Sequence, residues 1–163
     1  SFNLGRISEN LNRLNMGANF TYIYSDVEKS DAQKSETNFS KKRGLQGAAP
    51  WMLNVDLKYD FKNAKNLKRT ASLVYNTSAE KIYAVGFGGL DHVYEQPFHQ
   101  LDFIFQSELS KKVDVKFGVY NILNQTYKLK MGNESTVNIS TPNLLLEDYK
   151  KGISYNLSFG IKF

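Results

Sequence analysis

The chain of 163 residues contains no cysteine and only two histidines, His92 and His99. Without cysteine there is neither a disulfide framework nor a thiolate metal site, although that alone does not fix the compartment. Long apolar runs are missing as well: none approaches the ~18 residues that a membrane-spanning helix requires. The opening "SFNLGRISEN" lacks a Met and carries no secretory signal; it begins inside patterned sequence. Catalytic signatures are scarce too. There is no HExxH and no GxSxG, and "GFGG" at 86–89 lacks the spacing and strand–helix setting of a phosphate loop. The net charge is +5, but the basic residues are spread among turns and gather on no single face, which argues against nucleic acid as a partner.

Aromatic side chains are abundant, with 10 Tyr and 11 Phe, and they fall into a two-residue period. In "LNRLNMGANFTYIYSD", Leu14, Met16, Ala18, Phe20, Tyr22 and Tyr24 share one face of an extended strand, with Ile23 the exception opposite. In "APWMLNVDLKYDF", Trp51, Leu53, Val55, Leu57, Tyr59 and Phe61 do the same. The pattern is weaker in "TASLVYNTSAEKIYAV" and clear again in "HQLDFIFQSEL" and "VDVKFGVYNIL". It closes in "YNLSFGIKF", where Tyr155, Leu157, Phe159, Ile161 and Phe163 alternate with small and polar residues. These segments make six strands and no helix.

Most of these patterns run longer than the roughly 5–6 residues of an ordinary globular strand, and a strand tilted by about 45° needs roughly 9–11 residues to cross a bilayer. The connections alternate: long at about 28–45, short at 62–69, long at 86–96, tight at 110–112, and long at 124–149. That asymmetry is the habit of outer-membrane barrels, whose extracellular loops are long and periplasmic turns short. Tyr22, Tyr24 and Trp51 then fall near the outer interface, and Tyr59, Phe61 and Phe163 near the periplasmic one. A soluble, lipocalin-like ligand-binding β-barrel is the alternative that alternation alone permits.

The order "GLQGAAPWMLNVDLKYDF", "VYEQPFHQLDF", "KFGVYNILNQTY" and a final strand ending in Phe resembles the C-terminal barrel of TonB-dependent outer-membrane receptors of the Bacteroidetes type, over roughly residues 11–163. The resemblance implies an all-β, antiparallel transmembrane β-barrel segment, with residues 1–163 as a single C-terminal unit of about six strands in a barrel of about 22. It implies a location in the bacterial outer membrane and import of a scarce nutrient, whether siderophore, glycan or peptide, with no enzyme chemistry and no cofactor. The partners it implies are the remaining barrel strands and a plug on another chain or segment, outer-membrane lipid, the TonB system acting through that plug, and the barrel-assembly machinery. Phe163, with Phe159 and Tyr155 on the same face, resembles the terminal signal read by that machinery. A non-transporting barrel kept as a scaffold in a larger surface complex is a further alternative.

Candidate ligand residues are confined to one loop, "GFGGLDHVYEQP". Asp91, His92, Tyr94 and Glu95 stand close together there, although a solvated loop histidine is the simpler account of His92 than a metal ligand. No catalytic residue and no metal site is assigned. Asp56, Lys58, Asp102 and Glu108 fall on the polar face of their strands, where hydration or contact with a plug both suit them.

Overall fold

A computed structural model describes residues 2–28, 42–61, 67–86, 90–132 and 144–162. Among them there are thirteen strands: β1 (Phe2–Asn3), β2 (Leu14–Tyr22), β3 (Val27–Glu28), β4 (Lys42–Arg43), β5 (Trp51–Asp60), β6 (Arg69–Ser78), β7 (Lys81–Ala84), β8 (Val93–Glu95), β9 (His99–Glu108), β10 (Val113–Tyr120), β11 (Thr126–Met131), β12 (Leu144–Lys150) and β13 (Ser154–Ile161). There is no α-helix among the described residues. Two 3₁₀ turns, Leu4–Arg6 and Glu9–Leu11, precede β2, the first capped by Asn3, whose side chain accepts the Gly5 N–H at 2.9 Å.

The main sheet is an antiparallel meander in the order β1-β2-β5-β6-β9-β10-β13. Its six long strands are those the alternation marks. Register makes their faces coincide: Leu14, Tyr59, Ala71, Phe105, Phe117 and Leu157 pair across successive strands. The next row on the same face runs Met16, Leu57, Leu73, Phe103, Val119 and Tyr155. The alternate rows are mostly polar, as in Asn19, Asn54, Asn76 and Gln100, with Met52, Val74 and Ile104 as apolar members. A slip of one residue at any pair would mix the two faces.

Among the described residues no other element covers the apolar face. Phe20, Leu157 and Phe159 are 63%, 59% and 66% exposed. The buried apolar residues are Ala49, Ala79, Ile82, Tyr94 and Leu129, all of them beyond one end of the six long strands. The buried apolar side chains are therefore at that end, while those buried on the main sheet, Thr77, Asp102 and Ser107, are polar. On the polar face a side chain at Gly17 would meet the carboxylate of its cross-strand partner Asp56, which would have to swing aside to make room.

At the packed end the expected loops turn out to contain strands. A second sheet, in the order β12-β11-β8-β7, occupies much of the spans 86–96 and 124–149. Each of its strands prolongs one strand of the main sheet, because β6, β9, β10 and β13 keep the same lateral order there. The weak pattern at 70–85 has the same explanation, since it is two strands, β6 and β7, broken at Ala79–Glu80. Pro97, which has no N–H to give, lies in the break between β8 and β9. Asn121 and Asn124 at φ 57° and 44° and Gly152 at 84° lie in the other two breaks. The break line is sealed by side chains. Asp102 accepts the Asn121 N–H at 2.9 Å, Asn121 Nδ2 donates to the Gly152 carbonyl at 2.7 Å, and Gln125 Oε1 accepts the His99 N–H at 2.6 Å.

The opposite end is simple. The turn at 110–112 is tight, as expected, with Ser110 Oγ accepting the N–H groups of Lys112 and Val113. The described residues form open sheets rather than a closed barrel. β13 has β10 on one side and no strand on the other; β2 carries only the two-residue β1 on its outer edge. Phe163 lies outside the described residues, as do large parts of 28–45, 62–69 and 124–149.

Candidate functional site

A cleft of about 360 Å³ opens at the packed end of the molecule. One wall comes from the end of β2 and the residues after it, Tyr22 to Ser25; a second is the segment Lys42 to Pro50; the third is Glu80, Lys81 and Ile82 with Asp91, His92 and Tyr94. Backbone bonds clamp these walls together. The Ile23 N–H donates to the Pro50 carbonyl at 2.9 Å, and the Gly47 N–H to the Ile82 carbonyl at 2.8 Å. Gln46 Nε2 reaches the Tyr83 carbonyl at 2.9 Å, and the Leu45 N–H donates to Ser25 Oγ at 3.0 Å. Gly47, at φ 79°, makes the turn that brings this segment to the edge of β7.

Three of the four residues singled out in "GFGGLDHVYEQP" line this cleft. Asp91 is buried at 1% exposure. The His92 Nδ1 accepts the Gly86 N–H at 2.9 Å, so in the neutral ring the proton sits on Nε2. Gly86 packs against the backbone carbonyls of Leu90 and Asp91 so closely that no side chain fits there. The His92 and Tyr94 ring centroids lie 6.2 Å apart, and Tyr94 is buried. Glu95 is the exception. It points to a different task, pairing with Lys81 at 3.1 Å and accepting the Tyr127 hydroxyl. Burial, helped by the negative charge of Glu95, pushes the Tyr127 phenol up to about 12.

Among the described residues no group of three or more His, Asp or Glu is arranged to hold a metal ion. The cleft can do something simpler: hold a small molecule by shape, aromatic contact and a few charges. At about 360 Å³ it lies at the small end of the range for ligand clefts, roughly 300–1,000 Å³. Sequence reading marked only three of its sixteen lining residues, Asp91, His92 and Tyr94, as ligand candidates. Tyr22 and Tyr24 read as aromatics of the outer interface and Lys42 and Arg43 as polar loop, with no local signal of a cleft.

The remaining candidates are dispersed. Asp56 and Lys58 lie on the polar face of β5, whereas Asp102 is buried and committed to Asn121 and Gln100. Glu108 lies at the far end of the sheet, where it accepts the Lys68 N–H at 2.9 Å and pairs with Lys162 at 3.0 Å. Phe159 and Tyr155 stand on the exposed apolar face of the edge strand β13, Tyr155 being 70% exposed. No family model, curated protein or solved structure matches this chain.

Proposed function

We propose that this chain is the C-terminal part of the barrel of a TonB-dependent outer-membrane transporter that imports a scarce nutrient. The observation that carries the reading is the uncovered apolar face, kept in register across six long strands. In water such a surface is far larger than a monomer normally leaves exposed; in a bilayer it is the required one. Its height agrees. A strand of 10 residues, such as β5 or β6, is about 34 Å long at about 3.4 Å per residue, and a tilt of about 45° projects it to about 24 Å, against an apolar band of about 25 Å.

Aromatic pairs support the same orientation. Phe20 and Trp51 stack at 6.5 Å at one end of the face, and Tyr59, Phe61 and Phe105 form edge contacts at 4.9 and 6.2 Å at the other. The second sheet prolongs the strands on the side assigned to the cell exterior. On this reading the free edge of β13 bonds to the first strand of the barrel, because unpaired backbone at lipid depth costs several kcal/mol per group. The outer-membrane lipid, the missing strands, the plug and the assembly machinery are the partners, and transport involves no covalent step.

The test uses the full-length protein in its own host. Fractionation is expected to recover it with the outer membrane, soluble only in detergent, and deletion of its gene is expected to abolish growth on one scarce nutrient in a way that loss of TonB reproduces. Recovery in the soluble fraction without detergent would overturn the membrane reading. Outer-membrane recovery with no nutrient defect would favour the scaffold alternative.

A further inference from the structure

We propose that the cleft between the Lys42–Pro50 segment and β7 binds a small organic monocarboxylate, anchored by Arg43. The proposal does not depend on transport, because it concerns only what the cleft can hold.

Three cations line the cleft: Lys42, Arg43 and Lys81. Two are already neutralised. Lys42 Nζ lies 2.7 Å from Asp26, and Lys81 Nζ 3.1 Å from Glu95. Arg43 differs. Its guanidinium donates one bond, from Nη1 to the neighbouring Gly44 carbonyl at 3.2 Å, and no carboxylate pairs with it among the described residues. A guanidinium offers five N–H donors in a planar fork. The fork matches the two oxygens of a carboxylate, and Arg43 has the donors to spare.

The rest of the wall describes the body of the ligand. Ile23, Leu45, Ala48, Pro50 and Ile82 supply apolar surface, and Tyr22, Tyr24 and Tyr94 supply rings. A flat, apolar group of one ring suits that lining and the volume. Glu80 and Asp91 also line the cleft, so any anion there relies on Arg43 for its balance of charge. The single guanidinium charge balances one negative charge, whereas a doubly charged phosphate would bring a second that Arg43 leaves unbalanced. The fit is therefore to a monoanion.

The measurement is calorimetric titration of the full-length protein, purified in detergent, with benzoate, benzamide, acetate and phenyl phosphate. Benzoate is expected to bind most tightly. Benzamide, of the same shape but neutral, should bind about tenfold or more weaker, the value of a charged hydrogen-bonded contact. Acetate, lacking the ring, should also bind more weakly. Arg43→Gln should lose benzoate binding by a similar factor, and Arg43→Lys, which keeps the charge without the fork, should recover part of it. Both variants are compared with the parent by thermal unfolding, so that loss of fold is separated from loss of the anchor. Equal binding of benzoate and benzamide, benzoate affinity unaltered in Arg43→Gln, tighter binding of phenyl phosphate, or no benzoate binding at millimolar concentration would each overturn the proposal.

Discussion

Val55 is the position at which the lipid-facing assignment can be tested most directly. It is the fifth of the ten residues of β5, so it falls near mid-height, and its cross-strand partners are Ala18 and Tyr75. Its neighbour Asn54 points to the other face, between Asn19 and Asn76. Neither position has a charged residue directly opposite. Arg at a lipid-facing midplane site costs roughly 2–4 kcal/mol. That lowers the folding equilibrium by about 30-fold to about 700-fold, at about 1.4 kcal/mol per factor of ten. Val55→Arg should therefore show this loss in urea titrations of the full-length barrel refolded into phospholipid vesicles. Asn54→Arg, on the polar face, should stay within about 0.5 kcal/mol of the parent.

The Arg pair alone does not separate lipid from a protein core, since either would resist a buried charge. Val55→Phe does. A close-packed core answers added volume with a cost of about 1–3 kcal/mol, while fluid hydrocarbon accommodates a larger apolar side chain freely. Val55→Phe is expected to be neutral or slightly stabilising. A cost above about 1 kcal/mol for Val55→Phe, or equal losses for the two Arg variants, would refute the reasoning.

Three further outcomes are expected. A single cysteine replacing Leu45, which is 52% exposed beside the cleft, should react with an impermeant maleimide on intact cells, and one replacing Lys111 in the tight turn should not; the opposite pattern would invert the sidedness. Asn121→Ala should destabilise by about 2 kcal/mol, because it loses the bond to the Gly152 carbonyl and places alanine at φ 57°; Asn121→Gly keeps the backbone conformation accessible and should cost less, as thermal unfolding will show. Tyr127 has a folded-state pKa raised from 10.0 to about 12, so its contribution to stability is present below about 10 and is lost as pH rises through about 12. Phenolate absorbance should show one tyrosine ionising late, and Tyr127→Phe should remove that step.

The periodicity of the sequence determined the six long strands, their two faces and the tight turn at 110–112. It could do so because alternation is a local property: each residue's side depends only on its neighbours along the strand. The same logic placed Asp91, His92 and Tyr94 together, since they are adjacent in sequence. The second sheet escaped it. β7, β8 and β11 are short, and the breaks at Ala79–Glu80, Pro97 and Asn121 reset the alternation, so β7 read as the tail of a weak strand and the other outer strands as loop. Only tertiary structure decided that the breaks lie at one level and that the strands beyond them pair in the order of the strands below. The cleft depended on it even more. Arg43 and Tyr94 are far apart along the chain, and a polar loop gives no sign that its guanidinium will have no carboxylate partner among the described residues. That outcome rests on which neighbours Lys42 and Lys81 found, and pairing across space leaves no mark in a linear pattern.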